Sequence, residues 1–138
     1  DWINGVNASD RFQFYAQFKR SFKIEPYVNC SQLRCFKIAY VQFRFGISPI
    51  NFHRMRYRKG VTPQQMLCPV CRDVVEDENH ILFECPLYDD LRHDMSFFQA
   101  NQMNDVVTLM NANDDTSVME LSRFLYTVFK RRLQPVQF

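Results

Sequence analysis

Three cysteines and a histidine, Cys68, Cys71, His80 and Cys85, follow one another in the spacing C-x2-C-x8-H-x4-C. Thiolate sulfur and imidazole nitrogen are soft or borderline donors, and four of them match the tetrahedral preference of Zn²⁺. A tight turn over Cys68-Pro69-Val70-Cys71 aims two thiolates at one ion. His80 and Cys85, one helical turn plus a residue apart, reach it from the start and end of a short helix. The bland alternative is three buried thiols and a core histidine. It requires four such residues to meet ligand spacing by chance in a chain with five cysteines and three histidines. Three thiolates and one imidazole close the coordination sphere, so the expected cofactor is one structural zinc and not a Lewis acid.

Other chemistries fare worse. A zinc deaminase needs H-x-E ahead of its cysteine pair, whereas here the pair comes first and Ile81-Leu82 follow His80. A RING-type module needs a second ligand set, which Cys30, Cys35, His53 and His93 do not supply at suitable spacing. Asp89, Asp90 and Asp94 resemble a nuclease cluster only superficially; a solvated helix face accounts for them. The sequence holds no Gly-rich phosphate loop, nucleophile elbow or paired catalytic Cys–His, so an independent enzyme is the weakest reading.

The elements that position the four ligands read as helices. With 138 residues, 46% apolar and 15% aromatic, the chain is long enough for one domain with a real core and too apolar for disorder. No apolar run is long enough to span a membrane. The chain begins Asp1-Trp2-Ile3, without an initiator methionine or signal peptide, and is expected to be a fragment of a longer protein. An odd cysteine count with a metal-like cluster suggests a reducing, intracellular setting, cytoplasmic and nuclear. Cys30 and Cys35 are expected to be buried thiols on helix faces.

No segment alternates as a strand, so the fold expected is all-α, a small helical domain stapled by one zinc knuckle. A basic helical part spans 9–60, the knuckle and its following helix 61–100, and C-terminal helices 101–138. Ser9 caps a first helix to Phe22 with Phe14, Tyr15, Phe18 and Phe22 on one face, and Pro26 and Asn29 mark a loop. Ser31 caps a second helix that stops at Gly46, with Phe36, Ala39, Tyr40 and Phe43 facing the core. Arg34, Lys37 and Arg44 form a basic stripe on its other side. A third helix runs from Pro49 to Lys59, followed by a loop over Val61–Leu67. Glu76-Asp77-Glu78 serve the free N–H groups at the start of the ligand helix. After Pro86, Leu87, Leu91, Met95 and Phe98 share a face; Met103, Val106, Val107 and Met110 share the next. Thr116 or Ser117 caps a last helix whose core face is Val118, Leu121, Leu125 and Val128.

The net charge of +2 hides an asymmetry. Residues 1–67 carry eleven Lys/Arg against three acids; residues 68–138 carry six against twelve. No acid occurs between Pro26 and Arg72, and the densest basic-aromatic run is Phe52, His53, Arg54, Arg56, Tyr57, Arg58 and Lys59. A polyanionic partner follows from such a field, although the two halves can also neutralise each other within one fold.

These residues carry a family resemblance. Cys68-Pro69-Val70-Cys71, then Val75-Glu76-Asp77-Glu78-Asn79-His80-Ile81-Leu82-Phe83-Glu84-Cys85-Pro86-Leu87-Tyr88 and Leu91-Arg92, resemble a segment downstream of the reverse transcriptase in non-LTR (LINE-type) retrotransposon polyproteins. The approach Leu33…Phe43-Arg44-Phe45-Gly46-Ile47-Ser48…Tyr57-Arg58-Lys59-Gly60 is also similar. The likeness covers residues 12–95 and is most specific over 68–92. It implies a non-catalytic zinc-knuckle domain that helps the parent polymerase hold template RNA or target DNA during target-primed reverse transcription. By position it places the zinc on Cys68, Cys71, His80 and Cys85. The expected nucleic-acid contacts are Arg34, Lys37, Arg44, Arg54, Arg56, Arg58 and Lys59 on phosphates, with Phe52, His53 or Tyr57 stacking on unpaired bases. The expected partners are nucleic acid and the rest of the polyprotein, with no membrane and no small-molecule substrate. The alternative is a zinc-stabilised interaction module, docking within the polyprotein or in a host protein derived from such an element.

Overall fold

A computed structural model describes residues 15, 25–29, 31–56, 58–95, 105–112 and 114–132. The expected first helix, apart from Tyr15, lies outside the described residues, as do Cys30, Tyr57, Phe98 and Met103. The described chain is helical, and its only β pairing is one isolated antiparallel bridge, Leu67 with Val75. The helices are α1 (Pro26–Asn29), α2 (Arg34–Arg44), α3 (Asn51–Met55), α4 (Asp89–His93), α5 (Val106–Met110) and α6 (Asp115–Arg132). Short 3-10 turns cover Pro63–Met66 and Pro86–Tyr88, and a π turn covers His80–Glu84.

The long helices α2 and α6 make the main helix–helix contact. Ala39, Tyr40 and Phe43 of α2 enter one core with Val118, Leu121, Phe124, Leu125 and Val128 of α6. The knuckle joins that core through Cys68, Ile81, Leu82, Cys85 and Tyr88. Full burial of each large apolar side chain contributes about 1.5–3 kcal/mol, so the ligand turn is held by packing as well as by its donors.

The stop at Gly46 is as the sequence predicts. Ile47 N–H reaches Gln42 O at 2.9 Å and Gly46 N–H reaches Phe43 O at 3.1 Å, the two bonds of a Schellman motif. Gly46 takes φ 73°, where a side chain is disfavoured.

Several expectations need correction. Pro26–Asn29 is a helical turn, not a loop, and Val61–Leu67 contains a 3-10 turn. The third helix is only Asn51–Met55. It starts two residues after Pro49 because Glu76 caps it from a distance, accepting Asn51 N–H on its carboxylate at 2.6 Å and Phe52 N–H on its carbonyl at 3.1 Å. The last helix starts at Asp115 and is capped by Asp114, whose carboxylate accepts Ser117 N–H at 2.9 Å, rather than by Thr116 or Ser117. Asp serves an N-cap as well as Ser does, and here it extends the helix. Cys35 is exposed, not buried. Phe36 is only half-buried, edge-on to Tyr126 with centroids 5.1 Å apart.

Candidate metal centre

The first two thiols are aimed by a small antiparallel hairpin. Cys68 N–H donates to Val74 O and Glu76 N–H to Met66 O, each at 2.8 Å, while Arg72 N–H closes the turn onto Cys68 O at 2.8 Å. Closing so tightly forces Arg72 to φ 66°, a left-handed conformation that a non-glycine residue adopts at a cost.

The second pair is aimed by the π turn. In an α-helix successive side chains rotate by about 100°, so residues five apart face well away from each other. Here Cys85 N–H bonds to His80 O at 2.8 Å, an i→i+5 bond that widens the turn and brings the two side chains back towards one side. Asp77 caps the start, accepting His80 N–H at 2.9 Å. At the far end the Arg92 guanidinium donates to three carbonyls, Ile81 O at 2.9 Å, Leu82 O at 2.7 Å and Cys85 O at 2.8 Å, while Asp89 holds it at 2.7 Å. One side chain thus serves all three carbonyls, and Cys85 O also accepts the Tyr88 N–H at 3.2 Å.

The structure brings the four predicted ligands together. One donor atom from each of Cys68, Cys71, His80 and Cys85 lies within 4.8 Å of the others. Cys68 Sγ and Cys85 Sγ are 3.9 Å apart. That is far from a disulfide and close to the edge of about 3.8 Å that tetrahedral geometry gives for Zn–S bonds near 2.3 Å. His80 is buried, and neither ring nitrogen has a hydrogen-bond partner among the described residues. The closest approach, Nδ1 to Glu84 Oε2 at 3.5 Å, is too long for a good hydrogen bond. Buried polar atoms are rarely left in that condition, and a metal ion bound at one of the two nitrogens would supply a partner there. The cluster therefore fits a metal ion and is compatible with zinc.

The three thiols differ in how readily they ionise. Cys68 carries the negative charge most readily: a hydrogen bond from the Cys85 thiol, opposed by burial and helped by backbone N–H groups of Cys71 and Val70, holds its pKa below the usual thiol range. Cys85 is pushed up by donating that bond and then by burial. Cys71 is pushed up by burial and then by the charge on Cys68. A coordinating cation reverses the order for the two raised thiols, because a metal-bound thiol is deprotonated.

The residues expected to contact nucleic acid divide. Arg34, Arg54, Arg58 and Lys59 are exposed. Phe52, Arg56 and Lys37 are half-buried, with the Arg56 guanidinium 5.0 Å above the Phe52 ring and Lys37 Nζ 3.3 Å from Val28 O.

Arg44 and His53 belong elsewhere. Arg44 is buried, held by Glu25 Oε1 at 2.9 Å and Met110 O at 2.7 Å and lying over the rings of Tyr15 and Tyr27. Burial, and then Glu25, push the Tyr15 hydroxyl up to about 12. His53 is buried between Ser48 Oγ, 2.7 Å from Nδ1, and Glu78 Oε1, 2.9 Å from Nε2. The Ser48 backbone N–H also points at Nδ1, at 3.3 Å. That nitrogen therefore accepts and the proton sits on Nε2. This hydroxyl–imidazole–carboxylate line has its serine sealed, 2% exposed, and works as a tie between α3 and the knuckle.

Sequence reasoning missed Arg92 and Glu76 as the residues that hold the site. Their roles depend on partners brought in by the fold.

No protein-family model matches this chain, and no curated protein or solved structure is significantly similar to it.

Proposed function

We propose that this chain is a non-catalytic nucleic-acid-binding domain stapled by one structural zinc. It would lie at the C-terminal side of a LINE-type reverse transcriptase and help hold template RNA or target DNA during target-primed reverse transcription. Cys68, Cys71, His80 and Cys85 would hold the zinc; bound there, it supplies a cross-link and no open coordination position.

One observation carries the reading. Arg34, Arg54, Arg58 and Lys59 are exposed on a stretch that holds no acid from residue 26 to 72. Phosphates are matched by such cations, and the Arg56–Phe52 pair beside them offers a guanidinium and a ring for stacking. Arg44 and His53 take no part, being used inside the fold. Three acids of the knuckle are turned to structural bonds: Asp77 caps the ligand turn, Glu76 holds Arg132 and Glu78 holds His53.

The test is a titration of the zinc-loaded chain with single-stranded RNA, duplex DNA and an RNA hairpin at two salt concentrations. Binding should weaken steeply with salt. Joint replacement Arg54→Ala, Arg58→Ala and Lys59→Ala should reduce affinity at least tenfold and flatten the salt dependence. Tight binding untouched by that replacement, or none at low salt, refutes the reading.

A further inference from the structure

At two places in the chain a hydroxyl residue precedes proline, Ser48-Pro49 and Thr62-Pro63. Proline has no N–H, fixes its own φ and biases the residue before it to an extended backbone. Proline-directed protein kinases select this pair. The structure separates the two. Ser48 is 2% exposed, and its hydroxyl is engaged by His53 Nδ1 at 2.7 Å. Thr62 opens an exposed run, residues 62 to 65. Its backbone is extended, φ −86° and ψ 155°, and its N–H donates to Gln65 Oε1 at 2.8 Å. Its hydroxyl reaches the same oxygen at 3.5 Å, beyond a good O–H···O length, so that contact is weak.

Thr62 also lies beside the cations that bind phosphate in the nucleic-acid reading. Arg58 and Lys59, both exposed, precede it by four and three residues. The 3-10 turn that Thr62 heads, Pro63–Met66, packs against α3, which carries Arg54. None of Arg54, Arg58 and Lys59 is in an ion pair among the described residues.

We propose that Thr62 is the acceptor of a proline-directed kinase and that its phosphate switches off the basic surface. The γ-phosphoryl group of ATP passes to Thr62 Oγ1. The Oγ1–P bond forms, the bond from that phosphorus to the bridging oxygen breaks to leave ADP, and the hydroxyl proton goes to the kinase's base. The product carries about −1.5 to −2 charges and three acceptor oxygens. These pair with Arg58 and Lys59 and take them from the phosphates of a bound strand. The modification stands on Thr62 alone; its consequence rests on the nucleic-acid reading.

The zinc-loaded full chain is incubated with Mg-ATP and a proline-directed kinase, and the modified residues are located by tandem mass spectrometry. One phosphate should appear, on Thr62 and not on Ser48, and Pro63→Ala should slow its transfer about tenfold or more. Oligouridylate is then titrated into both forms over a range of salt. The phosphorylated chain should bind about tenfold more weakly or worse, with an unchanged helical circular dichroism. Its slope of log affinity against log salt should fall by about 1.4, the value for two cations lost to a single strand. In the joint variant Arg58→Ala, Lys59→Ala the phosphate should cost little further affinity. An unmodified chain that binds no RNA defeats the nucleic-acid reading and the switch with it. A chain that binds RNA but is not phosphorylated at Thr62, or is phosphorylated there without loss of binding, overturns this proposal alone.

Discussion

Arg132, in the last turn of α6, grips Glu76, at the start of the knuckle's second half, with two hydrogen bonds: Nε to Oε2 at 2.8 Å and Nη2 to Oε1 at 2.6 Å. The glutamate side chain is 1% exposed and the arginine 10%. Removing one partner of a buried pair leaves an uncompensated charge and costs about 3–5 kcal/mol. Glu76→Ala should therefore destabilise the domain by about that much, the more so because it also uncaps α3. Denaturant unfolding in excess zinc checks this. The double variant Glu76→Ala, Arg132→Met should recover part of the loss, since no charge is then stranded.

Metal removal should be more drastic. Folding and metal binding are coupled in small zinc modules, on the order of 10 kcal/mol. Native mass spectrometry should find one zinc per chain, and Cys71→Ser should weaken its retention. Chelation should unfold at least residues 60–100, seen as loss of helical circular dichroism and a lower Tm. A chain that carries no stoichiometric metal, or melts identically with chelator, excludes the zinc assignment.

Arg92 should matter to the metal without touching it. Its three carbonyl acceptors are the last turn of the ligand segment. Residues that orient ligands typically govern metal affinity by about 10–100-fold. Arg92→Met keeps the side-chain stem and should cost a similar factor, measured by competition with a zinc indicator. Asp89→Asn, which removes only the exposed partner of the guanidinium, should cost much less.

Acid sensitivity has a definite sign at Asp90. Its carboxyl is held below the usual range by the hydrogen bond from Arg131, at 2.8 Å. A pKa lower in the folded than in the unfolded chain stabilises the fold above the unfolded value, about 3.9, and loses that contribution as pH falls through the folded value. The stability difference between the parent and Asp90→Asn should thus be present at pH 6 and shrink below about pH 4. The group is 63% exposed, so the difference is small and should diminish with salt. A difference that grows on acidification contradicts the assignment.

The sequence disclosed what depends on spacing. The four ligands, the stop at Gly46, the core face of α2 and the Asp77 cap are all decided by residues a few positions apart. It did not disclose what depends on distant partners. Arg44 sits on a helix with Arg34 and Lys37 and looks like part of their stripe, yet Glu25 and Met110 draw it inside. His53 lies amid basic residues, yet Ser48 and Glu78 enclose it. The π turn is a related case: i,i+5 spacing suggested a helix, but only Arg92 explains how the widened turn is sustained.

The two kinds of contact around the knuckle also differ in when they can be made. The ligands lie between Cys68 and Cys85, so gathering them closes only a short loop at small entropic cost. The clasp of Arg131 on Asp90 and of Arg132 on Glu76 needs the final turn of α6, 41 and 56 residues further along. On a chain emerging from the ribosome the ligand turn can therefore close while its clasp is still being synthesised. Until α6 arrives, an ion bound there would be the knuckle's main restraint, and the last helix would lock an object already shaped.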